Sequence, residues 1–218
     1  MKLSKKILVT GGAGFIGSHL CKALLSRKIE VYVIDNLSTG SLTNIEEFID
    51  DTNFHFVQAD LCDCILFNES FDWICHLASP ASPDAYRREP IATLRVNTEG
   101  TRLVLEYARQ CNAKVLFAST SEVYGDPKMH PQKEDYWGNV NCYGERSCYD
   151  EGKRCAEALC YAYAQTYGVR IQIIRIFNTY GPRMQATDGR VICNFLEQIS
   201  RGKTLSIYGN GEQTRCFQ

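Results

Sequence analysis

The polarity pattern of the chain alternates between two kinds of segment. Six short apolar runs read as strands: "KKILVT" (5–10), "EVYVID" (30–35), "FHFVQAD" (54–60), "FDWICHLA" (71–78), "KVLFAST" (114–120) and "RIQIIRIF" (170–177). Between them, apolar positions recur at helical spacing from about Phe15 to Arg27, from about Ile91 to Gln110, and from Tyr149 to Tyr167, where Gly168 supplies a stop. A further helix is expected near 191–201 and a short strand at "LSIYG". Loops concentrate at 36–44, 79–90 and 121–148.

Several of these strands are apolar at successive positions, as in a sheet covered on both faces. Strands alternating with helices imply right-handed βαβ units. The expected fold is therefore α/β, a Rossmann-type doubly wound parallel sheet over residues 1–176, with a partial C-terminal substrate-binding region at 177–218.

Composition narrows the function classes. The 218 residues are 44% hydrophobic and 22% charged, with a formal net charge of -1, so no broad positive field invites nucleic acid or an anionic membrane. No stretch has the ~18 apolar residues of a membrane span, and the apolar run after the basic start is broken by glycines, unlike a signal peptide. The 11 cysteines contain no C-x-x-C pair, and several sit in apolar runs, such as Cys75 and Cys193. They read as reduced thiols of a cytoplasmic protein, with no metal site.

The chemistry begins at "TGGAGFIG". Gly11, Gly14 and Gly17 follow a strand and open a helix, the arrangement that lets backbone approach a pyrophosphate at a helix N-terminus. Asp35 ends the second strand, 18 residues after Gly17. A carboxylate there accepts from adenosine ribose hydroxyls and repels a 2′-phosphate, which favours NAD over NADP. Asp60, closing the third strand, is a candidate partner of the adenine amine.

At the other end of the expected cleft, Tyr149 precedes Lys153 by four residues, placing phenol and amine on one helix face. A free phenol near pKa ~10 is a poor base. A neighbouring ammonium and a positively charged nicotinamide ring favour the phenolate, so Lys153 is expected to lower the pKa of Tyr149 and to hold the nicotinamide ribose. Thr120 or Ser121 can share a hydrogen bond with a substrate hydroxyl, and Glu122 adds a second proton carrier. Asn178, Arg183 and Arg190 are candidate ligands of a diphosphate, and Arg95 a candidate partner of a sugar carboxylate.

The segments "ILVTGGAGFIGSHL", "DNLSTG", "HLASPASP", "STSEVYGDP", "HPQKEDYWGNVN", "CYDEGKR", "RIFNTYGPRM", "DGRVICNF" and "YGNGEQTRCFQ" cover almost the whole chain. With them the sequence resembles the extended short-chain dehydrogenase/reductase family of nucleotide-sugar enzymes and, within it, the UDP-glucuronate decarboxylases. That resemblance implies cofactor contacts from Phe15, Ile16, Asn36, Leu37, Thr39, Gly40, Leu61, Leu77, Ala78 and Ser79 as well. It implies NAD-dependent oxidation of the sugar 4-hydroxyl with Tyr149 as base, loss of carbon dioxide from the resulting β-keto acid, and protonation at carbon 5 served by Glu122 and Arg215. Reduction of the ketone then gives UDP-xylose with the cofactor regenerated. It also implies a homodimer built on the helices near 91–110 and 149–167, and a sugar-nucleotide domain that continues further in the family. Related readings are a 4,6-dehydratase, a 4-epimerase, or an NAD-binding protein without turnover. Dehydratases of the family carry Asp-Glu where this chain has Ser121-Glu122, which points toward decarboxylation.

Overall fold

The computed structural model describes residues 5–63, 67–207, 209–212, 214 and 217. Six parallel strands form one sheet in the order β3-β2-β1-β4-β5-β6. They are β1 (Lys6–Thr10), β2 (Glu30–Asp35), β3 (Phe54–Gln58), β4 (Trp73–His76), β5 (Lys114–Thr120) and β6 (Ile171–Ile176). The order reverses between β1 and β4, and in such sheets ligands bind in the crevice beyond the strand C-termini at that reversal.

The apolar runs are explained by cover on both faces. Alternate strand residues point to opposite sides, so Leu8, Ile34, Ile74 and Phe117 pack with Val104, Leu105, Ala156 and Cys160 in one core. Ile7, Val9, Val31 and Val33 join Cys21, Leu24 and Leu25 in the other. These helix residues come from α1 (Phe15–Leu25), α4 (Thr101–Cys111) and α5 (Ser147–Tyr167), the last ended by Gly168 in the left-handed conformation.

Three expectations change. The stretch 79–90 is not all loop, because α2 (Pro83–Arg88) occupies it. The single helix expected over 91–110 is three pieces, α3 (Pro90–Arg95), a π-helical segment Val96–Gly100 and α4. Side chains from this stretch bond back to its own carbonyls, Asn97 Nδ2 to Thr93 at 2.9 Å and Thr98 Oγ1 to Leu94 at 2.8 Å, so the wider turn keeps its polar groups engaged. The short strand expected at "LSIYG" is not formed at Leu205–Ile207; its Tyr208 lies outside the described residues. Beyond β6, α6 (Val191–Ser200) is the remaining long helix. No helix among the described residues is long and apolar enough to cross a membrane.

Candidate active site

The glycine turn closes onto its neighbours so tightly that side chains are excluded. Gly11 has φ 74°, and a Cβ there would lie 2.8 Å from the Ala78 nitrogen. A Cβ on Gly17 would lie 2.1 Å from the Gly11 carbonyl oxygen. The turn delivers the chain into α1 with Gly14 as N-cap, no capping side chain and no acidic residue in the first turn. The first amides of α1 are thus left to meet an anion. Asp35 is buried beside this turn and accepts from the Ala13 and Leu37 amides, each at 2.9 Å. Burial raises its pKa, against the backbone hydrogen bonds that lower it.

A cleft of about 310 Å³ opens over the C-terminal ends of β1, β4, β5 and β6. Gly11, Gly14, Phe15, Ile16, Gly17, Thr39, Leu77 and Ser79 line one end of it, and Thr120, Ser121, Glu122, Tyr149, Lys153, Asn178, Arg183 and Arg190 line the rest. A larger outer cavity adjoins it and shares Ser121, Glu122, Arg146 and Asn178 as a common wall. The cradle that a Cβ would fill, the uncapped α1 terminus and the Asp35 carboxylate together fit a dinucleotide.

Not every expected residue lies in the cleft wall. Asn36, Leu37, Gly40, Asp60, Leu61 and Ala78 do not line it. Gly40 backs onto Asp35, and Ala78 is the wall against which Gly11 turns. Asp60 accepts from the Cys62 amide at 2.8 Å, so it caps a local turn. Arg95 requires a correction: its guanidinium donates to the Cys62 carbonyl at 3.2 Å and pairs with Asp63 at 2.9 Å, outside both cavities. The Cys62 carbonyl and the Asp63 carboxylate, just after β3, hold it there. Arg183 pairs with Glu47 at 2.9 Å and lies over the Phe48 ring, on the side of the cleft near Thr39. Arg190 pairs with Asp188 through Nη2 at 2.9 Å. Arg215 lies outside the described residues.

At the catalytic end Tyr149 is 5% exposed and Lys153 4%. Burial pushes the Tyr149 phenol up to about 12, against the lowering influence of the Thr120 hydrogen bond and the nearby Arg190. The same burial brings Lys153 down to about 7. Its ammonium donates to the Ala118 carbonyl at 2.8 Å and stands 6.0 Å from the Tyr149 ring centre. The expected division of labour therefore shifts. In this geometry Thr120 and Arg190 favour the phenolate, whereas Lys153 is itself starved of solvent.

Two residues at the site carried no sequence signal. Tyr86 is buried and stacks on Tyr149 with ring centres 5.1 Å apart and planes 7° apart. Arg146 pairs with Glu122 and also reaches Asp150 at 3.5 Å. The Tyr86 stack and the Arg146–Glu122 pair join distant parts of the chain that no spacing rule links, whereas Arg146–Asp150 is an i,i+4 pair.

Residues 7–218 match the model of the NAD dependent epimerase/dehydratase family. The chain belongs to that family. UDP-glucuronic acid decarboxylase 1 of Xenopus tropicalis is 53% identical over 98% of this chain and 50% of its own length. UDP-glucuronic acid decarboxylase 1 of Arabidopsis thaliana is 52% identical over 98% of this chain and 48% of its own. The chain thus spans about half the length of these curated relatives. Among solved structures, UDP-glucuronic acid 4-epimerase from Bacillus cereus, in complex with UDP-glucuronic acid and NAD, superposes with a TM-score of 0.83. It is 32% identical, over 97% of this chain and 68% of that one. The Rossmann-type sheet and its NAD cradle are those of the family.

Proposed function

We propose that the chain carries the catalytic region of an NAD-dependent UDP-glucuronate decarboxylase that yields UDP-xylose. The observation that supports this most is the placement of Thr120, Ser121 and Glu122 on one short turn beside Tyr149, at the junction of the two cavities. The inner cleft suits the dinucleotide and the outer one the UDP-sugar. NAD, held by the glycine turn and Asp35, supplies reversible oxidation at sugar carbon 4.

The chain's own residues manage protons and charge. Tyr149 takes the proton of the 4-hydroxyl, and Thr120, already bonded to the phenol, shares that hydrogen bond. Arg190 steadies the negative phenolate, and Lys153 beside it is placed to hold the nicotinamide ribose. Loss of the carboxyl group leaves an enolate whose oxygen sits where Thr120 and Ser121 donate. Glu122, oriented by Arg146, carries a proton toward carbon 5. In the UDP-sugar site Asn178, which lines both cavities, serves the diphosphate, while Arg183 stands on the dinucleotide side of the cleft. The reading also takes the protein as a cytoplasmic homodimer. Ile91, Leu94, Tyr161 and Tyr167, exposed on α3 and α5, support the dimer.

Incubation with NAD and UDP-glucuronate is expected to release carbon dioxide and form a UDP-pentose. Conversion to UDP-galacturonate without carbon dioxide would favour a 4-epimerase, like the Bacillus cereus neighbour. Dehydration of dTDP-glucose with no reaction of UDP-glucuronate would sink the decarboxylase reading.

A further inference from the structure

The turn that carries Thr120, Ser121 and Glu122 is gripped from behind by Glu157 and Arg175, which line neither cavity. Glu157 lies on α5 one turn beyond Lys153, with its side chain 16% exposed. Its carboxylate accepts from the Ser119 hydroxyl at 2.5 Å and from Arg175 at 3.0 Å through Nε and 2.7 Å through Nη2. Arg175, on β6, uses its remaining nitrogen to donate to the Tyr124 hydroxyl and to the Glu134 carbonyl, both at 2.9 Å, and its guanidinium lies over the Tyr124 ring. Ser119 stands immediately before Thr120, and Tyr124 is the last residue of the turn. One ion pair therefore fastens both ends of a segment whose middle holds the proton carriers.

Two further observations argue for a built device. Arg154, also on α5, donates from one nitrogen to the Val123 and Trp137 carbonyls, each at 2.9 Å, tying the same turn to the loop beyond it. Burial works against the Glu157 charge, yet the bonds from Arg175 and Ser119 hold its carboxyl below the usual range. A forked, two-bond carboxylate–guanidinium contact fixes orientation as well as distance.

We infer that Glu157 and Arg175 are positioning residues of the reaction, holding the 119–124 turn so that Thr120 stays on Tyr149 while Glu122 faces the substrate. The inference rests on the decarboxylase reading for what the turn does, and on geometry alone for what holds it. The glycine turn lies at the far end of the cleft, so cofactor binding should be insensitive to this pair. A misplacement of the order of 1 Å costs about 100-fold in rate, and a partial loosening should cost about a tenth of that range.

The test combines kinetics with amide hydrogen exchange on the full 218-residue chain. In Glu157→Gln, kcat on UDP-glucuronate should fall about tenfold while KM and the Kd for NAD stay within about twofold. Exchange should quicken in 119–126 and 134–139, where the Gly125, Asp126 and Asn139 amides close the turn, and not in β1 or α1. Tyr124→Phe, which removes a single hydroxyl from the network, should show the same local pattern in weaker form, and it decides the matter if Glu157→Gln does not fold. Unchanged kcat with unchanged local exchange overturns the inference. So does exchange accelerated uniformly through the chain, which marks an ordinary stabilising pair. If the wild-type chain leaves UDP-glucuronate untouched, the decarboxylase reading falls, and the exchange pattern alone still decides whether the pair holds the turn.

Discussion

Individual side chains at this site are set by burial more than by pairing. Tyr149 sits far above the pH at which it must work, and Lys153 near it. Replacing Tyr149 by Phe removes the phenol and keeps the stack on Tyr86. Turnover should drop by on the order of 10²–10⁴-fold, with the Kd for NAD measured by calorimetry unchanged; full retention of turnover would exclude Tyr149 as the base. His76 offers a second test. It is 2% exposed, with Nδ1 2.7 Å from the Thr10 hydroxyl and Nε2 3.0 Å from that of Thr101. Burial, helped by Lys153, brings its pKa down from 6.5 to about 3. Between those values the unfolded chain binds one more proton than the folded one. Stability therefore falls as pH drops through this window, by about 1.4 kcal/mol per pH unit from this group. Urea midpoints at about pH 7 and about pH 4.5 should separate more for wild type than for His76→Gln; equal separations would mean that the folded imidazole accepts its proton freely.

Elements differ in how much of them sequence reveals. The glycine turn was legible because its requirements are local: a strand, three small residues at fixed spacing, then a helix. Gly11→Ala forces a left-handed conformation on a residue with a Cβ, at about 1–2 kcal/mol, and drives that Cβ into the Ala78 backbone. NAD affinity should weaken by at least about tenfold, read by calorimetry, and an unchanged Kd would show that the turn adapts. The π-helical segment was not legible, because Ile91–Gln110 keeps helical spacing on both sides of the break. Its extra residue in the turn is invisible to periodicity; Arg95, expected at the sugar, is held instead by Asp63 and the Cys62 carbonyl. α2 was hidden in a proline-rich stretch that reads as loop, and with it Tyr86. The buttress of Glu157, Arg175 and Tyr124 joins a helix, a strand and a turn, a contact that only the assembled sheet defines.

At the scale of the whole molecule, the order of strands decides where chemistry can occur. The reversal between β1 and β4 gathers loops from both halves of the sheet over one crevice, so residues as far apart as Gly11 and Arg190 share a wall. Alternating strands and helices were enough to infer that crevice; the side chains filling it from the loops were only partly inferable. The apolar residues left outside the two cores also act at this scale. If α3 and α5 meet a second copy, substituting Ile91 and Tyr161 by Lys should shift sedimentation from dimer to monomer with NAD binding retained; a single monomeric species in the wild type would remove the dimer from the reading.

The loop after the catalytic turn has a different kind of consequence. Its feet are stitched together by Asp126 bonding to Asn139 and Asn139 to Tyr124, at 3.0 and 2.9 Å, while Met129 and Trp137 stand exposed above them. Between its base and the anchors at Glu134 and Trp137, the crest around Met129 can accept added length. Doubling its length costs only about 0.6 kcal/mol in closure entropy. A short insertion beside the exposed Met129 is therefore expected to leave the proton carriers in place, which makes it a position for a grafted reporter.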